Sequence, residues 1–181
     1  MPIPESLRRT TLWRRRLAAC LLALPLAAAA QLADQPDWSE SKVPPAPKFD
    51  QKRLLPIEVG GRFALDFGID PQTVVVTPDG VVRYVVVASS SRGALNAFYE
   101  GIRCGSAQMK TYARFTDGAW HNAEKPEWEP IKLMSSGHTR AIAVQAVCEG
   151  RAPRLTTAEI IDQLRQTRPN ESSGGLYGRP L

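Results

Sequence analysis

The longest β-branched run in the chain lies near its middle and is apolar on both faces. Val81 to Ala88 carries polar groups only at Arg83 and Tyr84, which is typical of a strand in the middle of a sheet. Pro78-Asp79-Gly80 precedes this run as a tight turn, because glycine readily adopts a positive φ angle. We therefore predict a central strand at Val81 to Ala88, with the other elements arranged around it.

A second strand returns from Ala94 to Cys104 after a connection of small polar residues. The two-residue period of a strand places Phe98, Glu100, Ile102 and Cys104 on one face. If the cysteine faces the core, Glu100 faces it too, unless Gly101 forms a bulge that changes the alternation. A buried carboxylate needs a cationic partner or several hydrogen-bond donors. We expect an arginine partner for Glu100, and the candidates are Arg83, Arg103 and Arg140.

Hydrophobic patterning predicts further strands and a helical C-terminal part. The strand segments are an edge piece at Leu54 to Ile57, Arg62 to Phe67, Thr73 to Thr77 and Lys110 to Thr116. His138 to Val147 fits a helix or a last strand, and we favour the helix. A capping box at Thr156 to Glu159 predicts a terminal helix at Thr157 to Thr167. The predicted fold class is α+β: a single domain with a mostly antiparallel sheet of about five strands and one or two C-terminal helices packed on it.

Proline-rich and glycine-rich segments flank this predicted domain, which we place at residues 51–168. Residues 31–50 contain four prolines and little apolar content, which favours an extended polyproline-type arm. Trp38 within it is either an anchor on the domain or part of a mobile arm. The acidic segment Glu124 to Pro130 is predicted to be a loop with Trp128 against the domain. Residues 169–181 are predicted to be a disordered tail.

The N-terminus has the three-part organisation of a secretory signal peptide. Five arginines precede an apolar run at Leu17 to Leu26, and small residues follow up to Ala30, which predicts cleavage there and a periplasmic protein. The apolar run is too short for a membrane-spanning helix. A lipoprotein modified at Cys20 is disfavoured, because the apolar run continues past that cysteine. The twin-arginine pattern is matched only loosely, so general secretion is favoured.

Export changes the charge balance. Five of the 23 basic residues and one of the 18 acidic residues lie in the predicted signal peptide, which leaves 18 against 17. The basic pI of the precursor therefore comes mainly from the export signal and gives no support for nucleic-acid binding.

Two cysteines, Cys104 and Cys148, remain after the predicted cleavage. An even pair in an oxidising compartment is most simply a disulfide. The alternative is two free thiols that pack as small hydrophobic side chains.

The central region resembles a known protein family. The resemblance rests on DGVVRYVVV from Asp79, NAFYEGIRC from Asn96 and KTYARFTDGAW from Lys110, followed by Trp128 and Cys148. In that order they resemble the CNP-like family of bacterial exported proteins, named for a cryptic neisserial protein. The resemblance spans roughly Trp38 to Gln166. It implies an exported, single-domain protein, and it brings no catalytic residues.

Neither a catalytic centre nor a cofactor or metal site is predicted. His121 and His138 lie in no nucleophile-elbow or metal-ligand spacing. Asp66 and Glu100 can both lie in the sheet as paired carboxylates, but a structural role for Glu100 is favoured over acid–base chemistry. The interleaved aromatic residues of the strands favour core packing over a nucleic-acid platform.

These observations favour a small disulfide-stapled binding or envelope-interaction protein. Its expected partner is an envelope protein or a small ligand. The alternative is an exported enzyme centred on Glu100 with Arg83 and Arg103.

Overall fold

A computed structural model describes residues 37–60, 65–131 and 137–166. The predicted signal peptide with Cys20, the start of the arm, the beginning of the strand at Arg62 and the predicted tail lie outside these residues. The described strands are β1 (Leu55–Ile57), β2 (Leu65–Ile69), β3 (Val75–Val76), β4 (Val81–Ser90), β5 (Leu95–Arg103), β6 (Gln108–Thr116), β7 (Ala119–Asn122), β8 (Glu129–Pro130), β9 (Cys148–Glu149) and β10 (Ala152–Pro153). The helices are α1 (Gly137–Ile142), continued by a π-helical turn at Ala143–Val147, and α2 (Thr157–Gln166).

One antiparallel sheet of eight described strands organises the fold, in the order β1-β2-β4-β5-β6-β7. β3 pairs with β4 and β8 pairs with β6, while β9 and β10 form a separate two-stranded sheet. The α+β prediction of a single domain is confirmed. The sheet has more strands than the five expected because the predicted edge piece pairs as β1 and because β7 and β8, of four and two residues, are too short for a hydrophobic period to reveal.

β4 lies at the centre of the sheet, as predicted. β2 and β3 pair along one of its edges and β5 pairs along the other. Every residue from Val81 to Ala88 is buried, including Arg83. Gly80 has a φ angle of 80° in the preceding turn, which confirms the predicted role of glycine there. The predicted strand at Thr73 to Thr77 is instead a 3-10 turn at Pro71–Thr73 followed by β3, because Asp70 caps the turn through the Gln72 backbone N–H.

The two faces of the sheet have different covers. One face, which we call the helix face, packs against α1, the π-helical turn and α2. Its buried side chains include Val82, Tyr84, Val86, Ile102, Ile142, Val147, Ile160 and Leu164. The helix preference for residues 138–147 and the terminal helix are both confirmed.

The other face, which we call the arm face, packs against the proline-rich arm. Val85, Val87, Ala97, Tyr99, Tyr112 and Ala113 are buried there. Val43, Ala46 and Phe49 of the arm pack on them, although residues 38–50 form neither helix nor strand. The arm from residue 38 onward is therefore docked on the domain, and of the two alternatives for Trp38 the structure favours the anchor.

A bulge in β6 brings Tyr112 onto the arm face. Tyr99 pairs with Ala113 but Glu100 pairs with Thr111, so Tyr112 is the additional residue. The bulge is not in β5 at Gly101, and the alternation of β5 is preserved. Gly101 instead makes room, because a Cβ atom there would lie 2.5 Å from the Tyr112 hydroxyl oxygen.

The Cys104–Cys148 disulfide joins the end of β5 to the end of the helical layer. The two Cα atoms lie 5.7 Å apart, within the range that a disulfide spans. Cys148 caps the C-terminal end of the π-helical turn, and its N–H donates to the Ala143 carbonyl. The turn therefore places the second cysteine next to the end of β5. The predicted disulfide is confirmed.

Replacing both cysteines with alanine is expected to lower the free energy of unfolding by about 4 kcal/mol, the chain-entropy value for a loop of this length. The bridge closes a loop with a sequence separation of 44. Urea unfolding of the double variant and of the wild-type protein, with and without dithiothreitol, measures this loss. Equal stability of the oxidised wild-type protein and the double variant would contradict it.

Candidate functional site

Glu100 is a buried carboxylate on the helix face, as the alternation of β5 predicts. The residue is only 1% exposed. The Tyr84 hydroxyl donates to Oε2 at 3.0 Å from the neighbouring strand, and the Thr139 hydroxyl donates to the same oxygen at 3.3 Å. Nε2 of His138 lies 3.1 Å from Oε1. Three polar groups thus satisfy the carboxylate, which offsets the cost of removing it from water.

The expected arginine partner of Glu100 is a prediction that the structure corrects. Arg83 in β4 and Arg103 in β5 lie at the strand positions that alternate with those facing the helices. Both side chains are therefore on the arm face, on the other side of the sheet from Glu100. The Arg83 guanidinium donates to the Ser41 carbonyl at 2.9 Å, and that of Arg103 lies 3.9 Å from the centre of the Trp38 ring. Arg140 lies in α1 and is not a hydrogen-bond partner of Glu100 within the described part of the chain. The Tyr84 and Thr139 hydroxyls and the His138 ring occupy the place of the expected arginine.

His138 connects the buried carboxylate to the edge of the helical layer. Its ring stacks between Phe67, at 5.2 Å between centroids, and Phe98, at 5.7 Å. The side chain is 17% exposed, against 2% for that of Glu100. The sequence distance of 38 residues between them explains why no spacing in the sequence revealed this pair. The sequence indicated this site only through a glutamate at a position where the strand alternation predicts a core residue.

Tyr84 acts as a permanent donor in this cluster. Burial raises the pKa of its phenol well above the ordinary value, and the neighbouring Glu100 carboxylate raises it further. The phenol therefore stays protonated and its O–H points to Glu100.

Asp66, the second carboxylate of the predicted pair, is not part of this cluster. It is exposed in β2 and follows the strand alternation to the face opposite its neighbour Phe67. Across the described ranges 37–60, 65–131 and 137–166, no group of three or more histidine, cysteine, aspartate or glutamate side chains is arranged to hold a metal ion. His121 is exposed in β7.

A second polar cluster, on the arm face, was not predicted from the sequence. Glu40 of the arm accepts from the Lys110 ammonium and from the Tyr112 hydroxyl, each at 2.6 Å, and lies 3.7 Å from the Arg83 guanidinium. Asp79 lies 3.8 Å from the same guanidinium. These contacts join residues about 40 to 70 positions apart in the sequence. The arm has no hydrophobic periodicity from which they could have been predicted.

Trp38 and Asp79 fix the beginning of the described arm. The Trp38 indole donates to the Asp79 carbonyl at 2.8 Å, and the Ser41 N–H donates to the Asp79 carboxylate at 2.6 Å. The Trp38 ring also packs edge-on against Trp128, as expected for a tryptophan tucked against the domain. Burial by itself would raise the pKa of Asp79, but hydrogen bonds from Thr77, Ser41 and Val81 outweigh it and lower the pKa to about 2.

Comparison with known proteins places the chain in a family. Residues 33–165 match the CNP1-like family. The chain belongs to that family, which confirms the resemblance drawn from the sequence. It is 30% identical over 112 residues to cryptic neisserial protein 1 of Neisseria gonorrhoeae. The aligned part is 54% of this chain and 55% of that protein, so the chain spans about half the length of the curated relative. No solved structure matches the chain.

The family match includes both polar clusters. It begins before the docked arm and ends in α2, so Glu40, Asp79, Glu100 and His138 all lie inside it. The name of the relative states no activity or ligand. Of the helices in the described residues, none has the length and apolar character needed to cross a membrane.

Replacing Glu100 with leucine is expected to destabilise the protein more than replacing it with glutamine. Leucine leaves the buried Tyr84 and Thr139 hydroxyls without an acceptor, at about 1–3 kcal/mol per buried donor, whereas glutamine keeps one acceptor oxygen. Urea unfolding of both variants measures the difference. Asp66→Asn is the control at an exposed carboxylate and is expected to stay within about 0.5 kcal/mol of wild type. Equal losses for leucine and glutamine would contradict the role of the acceptor.

Asp79 is expected to stabilise the fold at neutral pH and to lose this effect in acid. Its pKa in the folded protein is lowered from 3.8 to about 2, so the stabilisation is present above pH 3.8 and disappears as the pH falls toward 2. The shift corresponds to roughly 2 kcal/mol. Urea unfolding of Asp79→Asn and wild type at pH 7 and in this acidic range measures it. The stability gap between them should narrow in acid, and a gap independent of pH would refute the assignment.

Proposed function

We propose that residues 1–30 act as a cleaved signal peptide and that the mature protein is a small binding or envelope-interaction protein of the periplasm. The observation that carries this proposal is the Cys104–Cys148 disulfide, because structural disulfides persist in oxidising compartments. The basic n-region, the apolar run and the small residues before Gln31 support the same location.

A binding role agrees with the structural role of the buried Glu100 carboxylate. The two carboxylate oxygens of Glu100 contact groups that attach α1 to β4 and β5. This use is structural. The mature chain is nearly neutral, with 18 basic against 17 acidic residues, which favours an envelope protein or a small ligand over nucleic acid as the partner.

Fractionation and crosslinking test this proposal together. The full precursor with a C-terminal tag is expressed in a Gram-negative host, and the mature protein is expected in the periplasmic fraction, shortened at its N-terminus and disulfide-bonded. Crosslinking in intact cells followed by purification is expected to capture a defined envelope partner. A variant without residues 1–30 is the control and is expected in the cytoplasm. Cytoplasmic, uncleaved, reduced wild-type protein would refute the proposal.

A second candidate function is an exported enzyme, and one observation favours it. The Glu100 carboxylate orients the imidazole of His138, which is partly exposed, and carboxylate–histidine pairs of this kind act as general bases in enzymes. In this candidate His138, and not Arg83 or Arg103, is the residue paired with Glu100, because its ring lies 3.1 Å from the carboxylate. Envelope extracts incubated with wild type or with His138→Gln distinguish the two functions. A product formed by wild type and not by the variant, while both remain folded, would establish the enzyme.

A further inference from the structure

The sheet presents three donors to a single carboxylate on the arm face. Lys110 and Tyr112 of β6 each reach Glu40 at 2.6 Å, and Arg83 of β4 lies 3.7 Å away. These groups are largely removed from solvent: the side chains of Arg83, Lys110 and Glu40 are 4%, 12% and 16% exposed. Two cations and a phenol around one carboxylate are the features of a carboxylate-binding site.

The sheet holds this arrangement with groups of its own. Lys110 and Tyr112 come from β6 beside the bulge, and the absence of a side chain at Gly101 leaves space for the Tyr112 ring. Burial raises the pKa of Tyr112, and Glu40 raises it further, so the phenol remains a donor. Arg83 keeps a buried Nε–H with no hydrogen-bond partner in the described structure. The site therefore has more hydrogen-bond donors than the arm has acceptors to pair with them.

Glu40, in contrast, belongs to a segment outside the sheet. Residues 38–50 form no strand, and polar contacts attach them near both ends: Trp38 and Ser41 to Asp79, and the Asp50 N–H to Asp70 at 2.8 Å. Without the Glu40 carboxylate, Arg83 and Lys110 would face the single negative charge of Asp79. The excess positive charge in a poorly hydrated site would then attract another anion.

We propose that Arg83, Lys110 and Tyr112 form a carboxylate-binding site and that Glu40 is its tethered occupant, which the carboxylate of an acidic ligand replaces. The inference deepens the proposed binding function and rests on it for its biological use. A tethered group acts at a high effective concentration. A small free carboxylate therefore does not displace Glu40 from the wild-type protein, but it does enter the site once the Glu40 side chain is removed.

Chemical rescue of Glu40→Ala by acetate tests the site. The variant is titrated with sodium acetate in exchange for sodium chloride at constant ionic strength and pH 7, and its thermal unfolding midpoint is recorded. We expect the midpoint to be below that of wild type in chloride and to rise with acetate. At an acetate concentration ten times its dissociation constant, the folding equilibrium constant should rise about elevenfold.

Three matched proteins make the result specific. Wild type and Asp37→Ala, which changes an exposed acid of the same arm, are expected to give no acetate-dependent shift. The double variant Glu40→Ala/Lys110→Met is expected to lose the rescue, because it lacks the ammonium that contacts the carboxylate at 2.6 Å. A similar acetate effect in all four proteins, or none in Glu40→Ala, would overturn the proposal.

A variant that does not fold in chloride still gives an answer. If Glu40→Ala is unfolded, the same titration is followed by far-UV circular dichroism, and acetate is expected to restore the wild-type spectrum. Failure to restore it overturns the carboxylate site. This outcome is separate from the fate of the proposed function, which depends on fractionation and crosslinking of the wild-type protein.

Discussion

β4 is buried along both of its faces, and this constraint determines how the rest of the chain is arranged. A strand with valines on both sides loses stability unless each side packs against another layer. The α1 and α2 helices and the π-helical turn provide one layer. The helices cover only the helix face, so a segment without regular secondary structure, the proline-rich arm, covers the other.

Each cover is fastened to the sheet by a buried polar cluster. On the helix face, the Glu100 carboxylate accepts from Tyr84 of the sheet and from His138 and Thr139 of α1. On the arm face, Glu40 accepts from Lys110 and Tyr112. Apolar burial is non-directional and sets how much surface is covered, whereas these hydrogen bonds fix where each cover sits.

The two polar clusters differ in the segment that supplies the carboxylate. The helix-face cluster joins elements that are also linked by the Cys104–Cys148 disulfide, and its carboxylate belongs to the sheet itself. The arm-face cluster takes its carboxylate from a segment without strand pairing, while the cations remain in the sheet. This carboxylate, supplied from outside the sheet, is the one that we propose a ligand replaces. For this reason the proposed binding function of this CNP1-like protein is most directly tested on the arm face.

Local patterns in the sequence determine a large part of this architecture. The two-faced apolar run required a central strand, the strand period placed Glu100 on the same side as Cys104, and the capping box marked the start of α2. These are properties of residues a few positions apart, which a sequence displays directly. Two cysteines in a chain with a predicted export signal indicated the disulfide by chemistry alone.

The tertiary structure decided which distant residues meet. The partners of Glu100 were expected to be arginines, but the alternation of β4 and β5 turns Arg83 and Arg103 to the arm face, and α1 supplies His138 and Thr139 instead. The docking of the arm depended on Glu40 reaching residues 70 and 72 positions away. The sequence by itself determined the long central strands, the terminal helix and the face that Glu100 occupies, because these follow from local periodicity. Only the tertiary structure decided the contents of both polar clusters, because long-range side-chain contacts leave no periodic trace in the chain.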